Sequence, residues 1–451
     1  MSRSDALLPQ SPGHRPSEQS PTPAPADPRQ TLGWGHRRHD RWLERWITST
    51  EDLARLQYSH RMVDAVIEEI DGRDIRIGDQ WLTDYASCNY LGLDLDDEII
   101  EAVPEYLARW GTHPSWSRLL GSPVLYEEIE TRLTGLLGSE DSLVLPTITH
   151  IHMSVIPVLA GGGTLFLDRR AHKTVYDGCA IAQARGAAVE RFAHEDLDEL
   201  ATLLRKDDWR RPGMICIDGV NSMTGNAPDL GAFAALAREH DALLYVDDAH
   251  GFGVIGERSP IETSAYGLRG NSIVRHVGET YENIILVGGF SKAYSSLLAF
   301  IACPSAVKRV LKTAAPPYLY SGPSPVASLA TTLEGLRVNE LRGEDLRAKL
   351  SRLTARVLDR IHELGIETPN RSGFPIIEIP LAEADSIGAV GDMLFDRGIY
   401  TTMAAYPLVP RDEVGFRLQL TAANTDEQID HLLVVLGEVA ERFKLRDQSA
   451  D

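Results

Sequence analysis

The chain reads as an α/β protein: a large domain built on a mainly parallel sheet, followed by a small C-terminal α+β domain. Three observations predict this. The runs ALLYVDD (242–248) and NIILVGG (283–289) are aliphatic throughout rather than alternating, the pattern of strands covered on both faces. They and GMICID (213–218) end abruptly in Asp or Gly followed by polar residues, as strands do where an open α/β sheet presents its ligand edge. From about residue 340 the pattern changes to a charged helix, GEDLRAKLSRLTARVLDRIHELG, then short strands and a last amphipathic helix, TDEQIDHLLVVLGEVAERF.

Composition bounds the function. With 451 residues the chain can bury a large core. Its 45 basic against 65 acidic residues give a net charge of −20, which argues against a nucleic-acid or anionic-membrane surface. No apolar run approaches the length a bilayer needs, so no membrane span is expected. Cys88, Cys179, Cys216 and Cys303 are widely spaced and form neither a metal-ligand nor a disulfide pattern, so a reducing cytoplasm is expected.

Four segments are expected: a tail (1–33), a helix-and-hairpin segment (34–95), the large domain (96–338) and the small domain (339–445). The tail is rich in Pro, Ser and Gln, a composition that cannot repay the entropy of ordering; it lacks the apolar core of a targeting peptide. Trp34, Trp42 and Trp46 follow among basic residues and predict a packed helix; His36 and His39 lack the further ligands of a metal site. DIRIGDQWLTDYASCNYLGLD (74–94) alternates as a hairpin does and ends at Asn89, for which a turn cap is one reading. In 139–168, Thr147-Ile148-Thr149 opens a helix, where amides and dipole favour an anion. His150 and His152 alternate there, but no third ligand motif accompanies them, so no metal is predicted. RFAHEDLDELATLLR predicts a helix opened by acidic residues.

The chemistry is expected at the strand ends. Lys292 follows Gly288-Gly289 by three residues and projects toward a cleft; a lysine partly removed from water presents the neutral amine that condenses with an aldehyde. A surface lysine capping a turn is the competing reading. Asp247 sits at the end of a second run, with His250 just beyond it; an aspartate so placed holds a pyridine nitrogen protonated. Asp218 and Ser222 reach the same edge from a third.

With VDDAHGFGVIGE, FSKA, NYLGL and FRLQLTAANTDEQID, the chain from about Asp84 to about Arg442 resembles the α-oxoamine synthases. These are fold-type I, aspartate aminotransferase-like enzymes that use pyridoxal 5'-phosphate (PLP). The resemblance implies that the large domain binds PLP. It makes Lys292 the Schiff-base lysine and acid/base catalyst, Asp247 the partner of the pyridine nitrogen, Ser222 and His250 contacts on the phenolic oxygen side, and His172 the residue stacked on the ring. It places Thr147, Ile148, Thr149 and Ser291 around the phosphate, and Asn89 and Arg417 on the substrate carboxylate. Plainer roles compete for two of these: a loop histidine for His172 and a strand-edge ion pair for Arg417.

The resemblance further implies a homodimer with sites at the interface. The implied reaction joins an amino acid to an acyl thioester, with loss of carbon dioxide, to give an α-amino ketone. The chain departs from the family in four places. His113, Pro114, Trp116 and Arg118 replace a glycine-rich run and are expected to narrow or reshape the mouth of the site. Ile148 replaces the glycine of the phosphate turn. Gly289 stands where a threonine binds phosphate and Gly322 where the partner subunit contributes another, with Ser291, Thr149 and Ser321 as candidates to compensate. An insert around SAYGLRGNSIVRHVGET lengthens the stretch before Lys292. These departures keep open a PLP enzyme of the same fold doing transamination, aldol-type or other carbon–carbon chemistry without a CoA donor. A catalytically dead scaffold is a third reading, and retention of Lys292, Asp247, His250 and His172 argues against it.

Overall fold

The computed structural model describes residues 44–206, 209–259 and 264–446. The tail expected over 1–33, and Trp34, Trp42, His36 and His39, lie outside the described residues. The chain separates into two units, Met1–Ser59 and His60–Asp451. Of the first, the structure describes a helix over Glu51–Ser59 with Glu51 and Asp52 in its first turn, where carboxylates complement the dipole.

The second unit opens with strands β1 (Glu69–Asp71), β2 (Asp74–Ile77) and β3 (Gln80–Asp84). β2 and β3 form the expected hairpin, turning at Gly78-Asp79, with Gly78 at φ 59°. The large sheet follows, built from β4 (Asp141–Leu145), β5 (Thr164–Asp168), β6 (Ala188–Phe192), β7 (Gly213–Asp218), β8 (Ala242–Asp247), β9 (Ile284–Gly289) and β10 (Ala299–Cys303). Its strand order is β4-β10-β9-β8-β7-β5-β6. Only β10 runs antiparallel to its neighbours, so β4, β5, β7, β8 and β9 all end on one edge. β5, β7 and β9 are buried along their whole length, which is why they read as unbroken apolar runs.

Beyond the sheet, a 38-residue helix runs unbroken over Val326–Glu363. Strands β11 (Ile376–Pro380), β12 (Ile399–Tyr400), β13 (Thr402–Ala404) and β14 (Gly415–Gln419) then form two small assemblies. β11, β14 and β13 make an antiparallel sheet, whereas β12 pairs in parallel with β3 and ties the N-terminal hairpin to the C-terminal part. The last helix, Asp426–Arg442, starts with a capping box between Thr425 and Gln428, legible as T-D-E-Q. The acidic helix of the sequence reading spans Leu197–Leu204, with Asp196 as its N-cap. Among the described residues, no helix is long and apolar enough to cross a membrane.

Candidate active site

Five strand ends deliver the site. Thr147 follows β4, His172 follows β5, Asp218 and Ser222 come from the end of β7, Asp247 and His250 from the end of β8, and Ser291 and Lys292 from the turn after β9. All of them line one cavity of about 170 Å³, together with Ile148, Thr149, Thr174, Val220 and Ala249. The turn after β9 is held from below. Phe290 and Tyr294 are buried on either side of Ser291-Lys292 and pack with Phe252, at ring-centroid distances of 5.4 Å for Phe290 and 5.1 Å for Tyr294. Each such aromatic pair adds about 0.5–1.5 kcal/mol beyond its buried area. With its flanks anchored in the core, the lysine is left on the cavity wall.

Asp218 and Asp247 are register partners on adjacent strands, and their surroundings drive them apart. Burial pushes both up, but at Asp247 the His152 ring, with Nε2 2.9 Å from Oδ2, and then Lys292 and His172 together outweigh it and bring Asp247 down to about 2. Ala249 N–H donates to Asp247 Oδ1 at 3.0 Å. Asp218 has no such imidazole against its carboxylate and is raised well above the ordinary range by burial and by the Asp247 charge; its Oδ1 accepts the His172 amide at 3.0 Å. The cavity therefore pairs an ionised carboxylate with a neutral acid, the separation that marks functional pairs.

His172 is the N-cap of the helix Lys173–Ala184. The residue is exposed, yet the protein packed around it still lowers its pKa, burial first, with Asp247 opposing and Lys292 adding. His250 is buried, with Nδ1 2.7 Å from Tyr90 Oη, and its pKa falls well below the ordinary range through burial, then Lys292 and Arg417. At neutral pH both imidazoles are uncharged.

At the other end, the helix Ile148–Ala160 begins at Thr147, whose hydroxyl accepts the His150 amide at 3.3 Å. Ile148 and Thr149, whose amides have no acceptor within the helix, remain on the cavity wall. Thr149 and Ser291 line the cavity, whereas Ser321 does not. Gly322 lies against His113, whose Nε2 would be 3.1 Å from a Cβ at that position.

Other expected residues are placed differently. Asn89 is not among the lining residues; its Nδ2 donates to Asp94 Oδ2 at 2.9 Å, in the turn after the hairpin. Arg417, on β14, is not among the lining residues either and meets the site through Ser222, its Nη1 donating to the Ser222 carbonyl at 2.9 Å, with Nε buried without a partner. The expected narrowing of the mouth by His113, Pro114, Trp116 and Arg118 is not found: none lines the cavity. Arg118 turns into the core, pairs with Glu130 at 2.9 Å and lies over the Tyr126 ring, because a buried guanidinium needs a carboxylate and a π face to replace water. His152 is not part of a metal site. It is spent between Asp247 and Tyr245, while His150, two residues away, is exposed. Among the described residues, no cluster of His, Cys, Asp and Glu could hold a metal ion.

Sequence reasoning missed Tyr90 and His152, the partners of His250 and Asp247. The signal for His152 was present: Ile148, Ile151, His152, Val155 and Ile156 fall at helical spacing on the inward face.

Residues 86–436 match the model of the aminotransferase class I and II family. An 8-amino-7-oxononanoate synthase from Symbiobacterium thermophilum is 30% identical over 379 residues, covering 83% of this chain and 91% of its own. One from Pseudomonas aeruginosa is 33% identical over 396 residues, covering 86% and 94%. Among solved structures, the serine palmitoyltransferase of Sphingomonas wittichii superposes with a TM-score of 0.79 at 24% identity, covering 90% of this chain and 99% of that one, a likeness of fold. The 8-amino-7-oxononanoate synthase of Francisella tularensis gives a TM-score of 0.66 at 21% identity, covering 80% and 98%. The chain belongs to the aminotransferase class I and II family and, within it, to the α-oxoamine synthases.

Proposed function

We propose that this chain is a PLP-dependent acyltransferase that condenses an amino acid with an acyl thioester, releasing carbon dioxide and the free thiol and giving an α-amino ketone. The observation that carries the reading is the convergence of Lys292, Asp247, His250, His172 and Ser222 on one cavity, in a chain whose relatives are named 8-amino-7-oxononanoate synthase. Serine palmitoyltransferases of the same fold have been solved with PLP.

The residues present fit that cofactor. A buried carboxylate kept ionised by His152 suits a pyridinium nitrogen, and the helix start at Thr147, Ile148 and Thr149 suits a phosphate. When bound, PLP supplies an aldehyde for amines and an electron-withdrawing ring.

The chain's own residues supply the rest. Lys292 provides the amine that holds the cofactor and then takes the proton from the amino acid's α-carbon. Asp247 keeps a proton on the ring nitrogen. His172 would lie against the ring, and Ser222 and His250 would hold its phenolic oxygen. Arg417 binds the substrate carboxylate with its two-pronged guanidinium, supported by its buried unpartnered Nε. Ser291 and Thr149 take over phosphate contacts at a cup where Gly289 brings no hydroxyl.

The proposal includes a homodimer, supported by the exposed Trp116, Leu119, Leu120 and Val124 within one short stretch, and a reducing cytoplasm, consistent with four free cysteines. Purified protein supplied with PLP, single amino acids and acyl thioesters tests the reaction. Free thiol and carbon dioxide appearing in equal amounts support it; keto-acid or aldehyde products without thiol release overturn it.

A further inference from the structure

Asp247 does not act alone. His152, wholly buried on the inward face of the helix Ile148–Ala160, places Nε2 2.9 Å from Asp247 Oδ2 and Nδ1 2.8 Å from Tyr245 Oη. Tyr245 precedes Asp247 by two residues on β8, so both side chains project from the same face of the sheet, and the imidazole bridges them. The Tyr245 and His152 rings meet edge to face at 5.7 Å. Tyr245 is buried too, and His152 Nδ1 is the hydrogen-bond partner found for its hydroxyl.

These contacts fix the direction of every proton. The tyrosine hydroxyl is held far above its ordinary range by burial and then by the Asp247 charge, so it keeps its hydrogen, and with His152 Nδ1 as the partner found for that buried hydrogen, it donates there. An ionised Asp247 accepts. Nε2 must therefore carry the hydrogen that Asp247 receives, and Nδ1 must offer a lone pair to Tyr245. Of the carboxylate oxygens, Oδ1 takes the Ala249 amide and Oδ2 the histidine, which leaves the orientation of Asp247 toward the cavity over-determined.

We propose that His152 and Tyr245 are positioning residues: Tyr245 selects the Nε2–H tautomer of His152, and His152 in turn holds Asp247 ionised and aimed at the ring nitrogen of the cofactor. This rests on the reading that Asp247 faces that nitrogen. It adds a buried hydroxyl and an imidazole through which the strength of the electron sink is set, although neither touches cofactor or substrate.

The test begins on the cofactor-free protein. Nitrogen-15 NMR of labelled histidine should show His152, assigned by its loss in His152→Asn, as the Nε2–H tautomer. In Tyr245→Phe, which removes one oxygen, that single tautomer should be lost. With PLP bound, Tyr245→Phe should lower kcat about tenfold, the scale of losing a supporting hydrogen bond, while KM for the amino acid stays unchanged. His152→Asn, which still offers an N–H to Asp247, should keep most cofactor affinity; His152→Phe should lose about 10- to 100-fold.

A doubly protonated or Nδ1–H His152 in the wild type overturns the proposal, and so does equal affinity in His152→Asn and His152→Phe. Should His152→Phe fail to fold, the tautomer and the kcat of Tyr245→Phe decide. Asp247→Asn separates this from the underlying reading. Full cofactor binding and turnover in that variant would remove Asp247 from the ring nitrogen, whatever the His152 tautomer proves to be.

Discussion

Ile148 and Gly289 fit each other: a Cβ at position 289 would stand 2.5 Å from Ile148 Cδ1 and 3.0 Å from its Cγ1. The isoleucine fills the space that a side chain on the end of β9 would occupy. Two departures from the family pattern, a glycine lost at 148 and a threonine lost at 289, are thus one steric exchange at the phosphate end of the cavity. Gly289→Ala should therefore destabilise the protein by about 1–3 kcal/mol through overpacking, and Ile148→Ala in the same chain should recover most of that loss. Thermal melts of the two single variants and the double variant should give a coupling of roughly 1 kcal/mol or more. Additive effects would mean that the two side chains do not share this space.

Arg417 should act in binding rather than in chemistry. Arg417→Lys keeps the charge but loses the fork, so KM for the amino acid should rise at least about tenfold with kcat little changed. Steady-state kinetics with the amino acid varied at saturating thioester checks this. An unchanged KM would assign the guanidinium to holding the Ser222 carbonyl alone.

Glu378, opposite Arg417 in the β11–β14 pair, is buried with Oε1 unpartnered, and burial raises it from 4.5 to about 7, with Glu413 adding and Arg170 and Arg417 opposing. The folded state thus favours the protonated form. Its contribution to stability is intact below about pH 4.5 and is lost as the pH rises to about 7. By pH 8 the penalty is on the order of 3 kcal/mol. Glu378→Gln should match the wild type near pH 4.5 and exceed it at pH 8 in urea denaturation. Parallel stability curves for the two proteins would contradict this.

The strand ends were legible because buried parallel strands leave an apolar run with an abrupt polar stop. Lys292, Asp247, Asp218, Ser222, His250 and His172 all line one cavity for that reason. What was not legible depends on contacts between elements far apart in the chain. Tyr90 lies 160 residues from His250, and nothing local to NYLGL announces their 2.7 Å contact. Arg118 looked like a bulky intruder at the mouth because its partner, Glu130, sits on the following helix, and only packing reveals that it faces inward. His152 was obscured by His150, since alternation suggests a shared face on a strand but opposed faces on a helix.

Lys292 is the residue expected to carry the cofactor. Reduction of the PLP-loaded protein with borohydride, followed by proteolysis and mass spectrometry, should place a pyridoxyl group on the peptide containing Lys292, with no such adduct in Lys292→Ala. A pyridoxyl group on another lysine, or none at any lysine of the loaded protein, would contradict it.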